Sequence, residues 1–158
     1  MTPQDKNNIL IAEFMGYKQL ETYTEAIKLV SYRVEKEGQR IGELTSYTTY
    51  KPEQKEDALF RLWNQLNLTY HSDWNWLMEV VEKIESLEKP ITNNPNLVGK
   101  NEDYEVHIQG KHVKIYAHGE VTKEVVDLRS SESNSKIEAV YNACIEFIKW
   151  YNENNPIN

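Results

Sequence analysis

The chain has 158 residues, of which 39% are hydrophobic, and its formal net charge is -7. That length is sufficient for one domain with its own core, and ten tyrosines, four tryptophans and three phenylalanines supply packing area that disordered chains lack. The negative charge disfavours non-specific binding to nucleic acid polymers, which requires a basic face.

A helix is predicted at the N-terminus. Thr2 is a candidate N-cap, Pro3 the first helical residue, and Asp5 lies three residues after the cap. Gly16 is a suitable residue for ending this helix.

Residues 17–50 predict a β-hairpin. Residues 28–34 and 41–50 are rich in β-branched and aromatic side chains, and the charged stretch 35–40 is the predicted turn. Residues 24–29 are also compatible with the start of a helix, and this alternative stays open from the sequence.

Two helices are predicted in the middle of the chain. Pro52 opens the first, which carries acidic residues in its first turn and ends near Asn67. The second covers residues 73–85, with Ser72 or Asp73 as its N-cap. Its predicted apolar stripe has helical spacing and consists of Trp74, Leu77, Met78, Val81 and Ile84.

Three strands are predicted next. Residues 104–109 and 112–117 alternate between polar and apolar side chains around a turn at Gly110 and Lys111. Residues 120–127 are the candidate third strand, and 130–134 read as a polar connection.

The last predicted helix starts with a capping box formed by Ser135 and Glu138. Its apolar stripe consists of Ile137, Val140, Tyr141, Cys144, Ile145, Ile148 and Tyr151. Together these elements predict an α+β fold, an antiparallel sheet covered by amphipathic helices in a sandwich-like arrangement. We expect a single domain over residues 1–158, with a variable insert or hairpin region at 18–69 and a frayed tail at 153–158.

The expected location is the cytoplasm of a host cell. Cys144 is the sole cysteine, so no intramolecular disulfide can form. The N-terminus lacks a signal pattern and no apolar run reaches the length of a membrane span. We therefore expect no membrane association.

Candidate catalytic or metal-binding groups have simpler structural explanations. His71, Ser72 and Asp73 suggest a nucleophile with a base, but adjacent residues do not make a triad, and helix capping is favoured. In the predicted hairpin His107 and His112 share one sheet face, where a metal site is conceivable and an ordinary polar face is favoured. We expect no catalytic residues, no metal and no cofactor, and we expect Cys144 to be a packing residue.

The candidate ligand-binding residues are Tyr17, Arg33, Trp76 and Lys114. Aromatic side chains can stack on bases or fill partner pockets, and the two cations could contact phosphate. If Trp74 lies in the core, Trp76 falls off the core stripe and becomes a candidate exposed aromatic. The alternative for these aromatic residues is edge packing and subunit contact.

Three segments resemble a family of small phage and prophage proteins with an "ABA sandwich" domain. They are LIAEFMGY at residues 10–17, YHSDWNWLMEVVEKIE at 70–85 and KIEAVYNACIEFIKWYN at 136–152. The resemblance implies a sheet between helices and a phage setting, and it carries no family catalytic residue. Residues 18–69 depart from the family pattern.

We therefore expect a phage-encoded, non-enzymatic binding protein. The leading hypothesis is a sponge that sequesters a host nucleotide immune signal, with homo-oligomers building the pocket. The alternative is a protein-interaction module that binds and inhibits a host or phage protein. An enzyme such as a nucleotide hydrolase is the least supported hypothesis, because the sequence offers no acid-base pair or ligand motif.

Overall fold

A computed structural model describes residues 1–27, 29–46, 52–87, 104–117 and 126–154. The chain forms two compact units, Met1–Thr69 and Tyr70–Asn158, and each contains helices and one antiparallel sheet. The predicted α+β class is confirmed, although the described strands lie in two three-stranded sheets rather than one. The expectation of a single domain stays a prediction.

The described residues of the first unit form two α-helices and three strands. In chain order these are α1 (Pro3–Phe14), β1 (Tyr17–Thr24), β2 (Leu29–Lys36), β3 (Gln39–Ser46) and α2 (Pro52–Asn64). The second unit contains α3 (Trp74–Glu85), β4 (Tyr104–Gln109), β5 (His112–Ala117), β6 (Val126–Glu132) and α4 (Lys136–Asn154).

The N-terminal helix has the predicted capping box. The Thr2 hydroxyl accepts a hydrogen bond from Asp5 N at 3.2 Å, and the Asp5 carboxylate accepts one from Thr2 N at 2.6 Å. Gly16 follows the helix with φ +93°, a conformation that glycine adopts without strain. Asn8, which is buried, donates from Nδ2 to the carbonyl of Leu68 at 3.0 Å and so ties α1 to the end of the first unit.

The first sheet has the order β1-β2-β3, and α2 packs on one of its faces. We call this the inner face; on β2 it carries Val30, Tyr32 and Val34, all buried. The opposite, outer face carries Ser31, Arg33 and Glu35 on the same strand, because successive side chains alternate. On α2 the buried residues are Ala58, Leu62 and Trp63, so the core of this unit lies between α2 and the inner face.

The predicted hairpin is confirmed with a shorter turn than the charge pattern indicates. β2 continues to Lys36, which pairs with Gln39, and only Glu37 and Gly38 form the turn. Both have positive φ, 52° and 77°, as two-residue hairpin turns of type I′ require. The part of the predicted second strand after Ser46 lies outside the described residues. The alternative helix at 24–29 is reduced to a 3-10 turn at Glu25–Ile27.

Strand β1 was not predicted from the sequence. Its eight residues pair with β2 without any register shift, yet most of their side chains are exposed. An edge strand with one open side lacks the apolar alternation by which a half-buried strand is recognised. Leu20 is the only aliphatic side chain in the strand.

The second sheet has the order β4-β5-β6, with α4 packed on β5 and β6 and α3 packed on β4 and α4. The pairing of Gln109 with His112 and of His107 with Lys114 is as predicted. The third strand is described over Val126–Glu132, so the predicted end at residue 127 was wrong, and the predicted start at residue 120 lies outside the described residues. Residues 130–132, predicted as a polar connection, belong to β6, because sheet pairing tolerates serine where backbone partners are available.

Helix α4 is buried on more of its circumference than a single stripe. The predicted serine cap is confirmed, with the Ser135 hydroxyl 3.3 Å from Glu138 N. Besides residues of the predicted stripe, the helix buries Ala139, Ala143 and Phe147. Phe147 packs edge-on against Tyr104 of β4, with 5.0 Å between ring centroids. The helix continues through Glu153 to Asn154, and the rest of the predicted frayed tail lies outside the described residues.

Within the described residues, no helix has both the length and the apolar character needed to cross a lipid bilayer.

Candidate functional site

The start of α3 is where the sequence suggested either capping or chemistry. Asp73 is the N-cap, and its Oδ1 accepts hydrogen bonds from Asn75 N at 2.8 Å and Trp76 N at 3.4 Å. The His71 ring packs edge-on against Tyr141, with centroids 6.3 Å apart. The capping role of Asp73 is therefore confirmed.

The two tryptophans of α3 occupy positions opposite to those considered from the sequence. Trp74 is 38% exposed, whereas Trp76 is half-buried and packs edge-on against Tyr70 at 5.1 Å between centroids. The buried stripe consists of Leu77, Val80, Val81 and Ile84. Placing Trp74 in the core was wrong, because the helix buries Val80 and leaves Met78 half-buried, so the buried stripe is rotated about the helix axis and Trp74 lies at its border.

The solvent side of α3 carries one aromatic and three acidic side chains. We call Trp74, Glu79, Glu82 and Glu85 the α3 face, since all four are exposed residues of this helix. Glu85 has a further role, because its Oε1 accepts a hydrogen bond from Val106 N on β4 at 3.0 Å. The α3 face therefore combines a partly exposed aromatic ring with negative charge, and the Glu85 carboxylate is hydrogen-bonded to β4.

Tyr17 and Arg33 lie on opposite faces of the first sheet. Tyr17 pairs with Lys36 on the inner side, and the Lys36 ammonium lies 4.9 Å from the centroid of the tyrosine ring. Arg33 points to the outer side, where its Nε lies 2.8 Å from Glu35 Oε1. The structure does not bring these two candidates together, because the side chain of Tyr17 belongs to the inner face and that of Arg33 to the outer face.

Two arginines on the outer face of this sheet are paired with carboxylates of the same face. Besides the Arg33–Glu35 pair, Arg40 Nη1 lies 2.8 Å from Glu43 Oε2. The other oxygen of Glu43 accepts a hydrogen bond from Ser31 Oγ at 3.1 Å. A phosphate bound to either arginine would have to compete with an existing ion pair.

In the second unit, Trp76 and Lys114 also belong to different sides of the sheet. Val113 and Ile115 are fully buried on the helix side of β5, so Lys114 between them lies on the other side. His107 and His112 share the side of Lys114 and are exposed, which agrees with an ordinary polar face. Over the residues whose placement is described, no group of three or more His, Cys, Asp or Glu side chains could hold a metal ion.

Cys144 lies in the interior of α4 and is fully buried. Burial raises the pKa of its thiol to about 12, so the thiol is protonated at neutral pH. This agrees with the predicted packing role, since the thiolate is the nucleophilic form.

Sequence reasoning therefore missed the exposure of Trp74 and the whole of β1. The signal for Trp74 was its position as the first residue after the cap, where a side chain has neighbours on one side only. Neither the known protein families, nor the curated proteins, nor the solved structures compared with this chain gave a match. The resemblance to the "ABA sandwich" proteins stays a prediction.

Proposed function

We propose that this chain is a non-enzymatic binding protein whose ligand is another protein with a basic, apolar-lined surface. The observation that supports the proposal is the α3 face, where Trp74 is 38% exposed on a helix whose other exposed residues include Glu79, Glu82 and Glu85. Because tryptophan carries the largest apolar surface of any side chain, leaving it in water forgoes burial energy. Tryptophan is also enriched among the residues that dominate binding energy in protein interfaces.

The charge of the chain supports a basic partner. The net charge is -7, and Glu79 and Glu82 of the α3 face are exposed. Complementary charge accelerates encounter and excludes acidic competitors, while a buried aromatic side chain supplies most of the affinity. We expect the association rate to fall as the salt concentration rises, with a smaller effect on dissociation.

The nucleotide-sponge hypothesis has less support from the arrangement of its candidate residues. Tyr17 and Arg33 lie on opposite faces of one sheet, and Trp76 and Lys114 on opposite sides of the other. Aromatic stacking combined with phosphate binding requires an aromatic ring and a cation to face the same cavity. Neither pair therefore supplies both groups to one cavity within its own unit.

The experiment is affinity capture with three immobilised proteins, namely the unchanged chain, Trp74→Ala and Ile41→Ala. Ile41 is the matched control, because it is an exposed apolar residue of the other unit, with 46% exposure. We expect one basic protein to be retained by the unchanged chain and by Ile41→Ala and lost with Trp74→Ala. Retention by all three proteins would contradict a role for the α3 face.

A second arm tests the nucleotide hypothesis directly. The protein is incubated with cyclic dinucleotides, cyclic trinucleotides and cyclic ADP-ribose isomers, removed by filtration, and the remaining nucleotide is quantified. Our proposal predicts no depletion. Depletion followed by release of intact nucleotide on heating would favour the sponge, and altered products would indicate an enzyme.

A further inference from the structure

The edge of β1 that faces away from β2 is a feature of the first unit that the proposed function does not use. Among the described strands, β1 pairs only with β2, so the backbone groups on its other side have no strand partner. An unpaired edge of this kind is a template for another extended chain. β1 has eight residues, corresponding to about 27 Å of extended backbone.

Two of the other described edges, those of β3 and β4, carry backbone features that hinder strand addition. On β3, Val34 pairs with Gly42 and Glu35 with Arg40, so Ile41 is an extra residue that forms a bulge. On β4, the amide N–H of Val106 already donates a hydrogen bond to the carboxylate of Glu85. The pairing of β1 with β2 is unbroken over eight residue pairs, and β1 contains neither proline nor a bulge.

Residues 17–23 of β1 are partly symmetric about Leu20. Tyr17 and Tyr23 are equally distant from the centre, as are Lys18 and Thr22, and Gln19 and Glu21. Antiparallel pairing of two such strands around a two-fold axis at Leu20 therefore matches each of residues 17–23 with a compatible one. Tyrosine opposes tyrosine, lysine opposes threonine, glutamine opposes glutamate, and leucine opposes leucine.

We propose that β1 pairs antiparallel with β1 of a second copy of this chain, with Leu20 on the two-fold axis, to form a continuous six-stranded sheet. A two-fold axis perpendicular to the sheet places the inner faces of both copies on the same side. The allowed registers are therefore those that pair an inner-face residue of one copy with an inner-face residue of the other. Moving the axis to Glu21 would oppose two glutamates, and moving it to Gln19 would set Tyr17 against Glu21 and Lys18 against Leu20. The register centred on Leu20 avoids these mismatches.

The side chains around this axis are in position for pairing. Tyr23 is 50% exposed, which is unusual for a residue with so much apolar surface. Gln19 and Glu21 are held on the inner side by α2, where Trp63 Nε1 donates to Gln19 Oε1 at 2.9 Å and Lys55 forms an ion pair with Glu21. This anchoring reduces the conformational entropy that pairing would cost.

The test uses charge at Thr22, whose side chain is exposed on the outer face opposite Ser31. In the proposed register, residue 22 of each copy lies opposite Lys18 of the other copy. Thr22→Lys therefore creates two lysine–lysine pairs, whereas Thr22→Glu creates two glutamate–lysine ion pairs. Thr45 is the matched control, because it flanks Ser31 from the other side, on β3. The self-association constant of each variant is measured by sedimentation equilibrium.

We expect the unchanged chain and Thr45→Lys to dimerise with equal dissociation constants. From the usual strength of two cross-strand pairs, Thr22→Lys should weaken the dimer by about 2- to 30-fold, and Thr22→Glu should tighten it. Combining Lys18→Glu with Thr22→Lys should restore the dimer, an outcome that a general loss of structure would not produce. A chain that is monomeric at every concentration, or a dimer insensitive to the charge at Thr22, would overturn the proposal. Trp74→Ala should leave the dimer unchanged, so failure of this proposal and failure of the proposed function are separable.

Discussion

Replacing Asp73 by alanine removes the cap of α3 and distinguishes a structural role of this carboxylate from a chemical one. Oδ1 accepts one short hydrogen bond, 2.8 Å from Asn75 N, and one long one, 3.4 Å from Trp76 N. N-cap replacements of this kind cost about 0.5 to 2 kcal/mol. Because only one of the two bonds is short, we expect the free energy of unfolding to fall by about 1 kcal/mol.

Two further substitutions divide that loss into its parts. Asp73→Ser keeps a capping oxygen and removes the charge, so it should lose only the interaction with the helix dipole, about 0.3 to 1 kcal/mol. Asp73→Asn should behave similarly. The assay is urea unfolding followed by circular dichroism and tryptophan fluorescence, with an unchanged dependence on urea. A loss below about 0.3 kcal/mol for Asp73→Ala would refute the capping argument, because surface changes away from caps fall in that range.

Three other substitutions or treatments test the packing and turn assignments. Glu37→Asn should raise the free energy of unfolding by about 0.5 kcal/mol, because asparagine tolerates the φ of 52° better than glutamate; a loss would contradict the turn. Phe147→Ala should lower it by about 3 to 5 kcal/mol, since this ring is fully buried against Tyr104, and a loss near zero would place it outside the core. Cys144, whose pKa is raised to about 12, should not react with a thiol reagent in the folded protein at neutral pH and should react after the protein is unfolded in urea. Stoichiometric labelling of the folded chain would refute the burial of this thiol.

The elements that could be predicted from the sequence are those with local signals. The caps of α1 and α4 depend on residues three apart, and the register of the β4–β5 hairpin follows from a turn of two residues. Such signals lie within one element, so tertiary packing does not override them. The bounds of β6 were predicted less well because its serines carry no strand pattern.

What the sequence could not give depends on contacts between elements. Periodicity within α3 does not show whether other elements cover its first residue, Trp74. β1 likewise forms a strand through its pairing with β2, and the sequence pattern of β1 itself does not predict that pairing. The separation of Tyr17 from Arg33 also follows only once β1 is known to be a strand, because alternation then assigns them to opposite faces.

The central claim, that a protein partner binds at the α3 face, is tested most directly by photo-crosslinking. Trp74 is replaced by the photoreactive residue p-benzoyl-phenylalanine, which keeps a large aromatic side chain, and the same residue is placed at Ile41 as the control. Our account predicts a crosslinked basic protein from position 74 and none from position 41, with the yield reduced when Glu79 and Glu82 are changed to lysine. Crosslinking of a partner from position 41 alone, or equal yields with and without the glutamates, would contradict it.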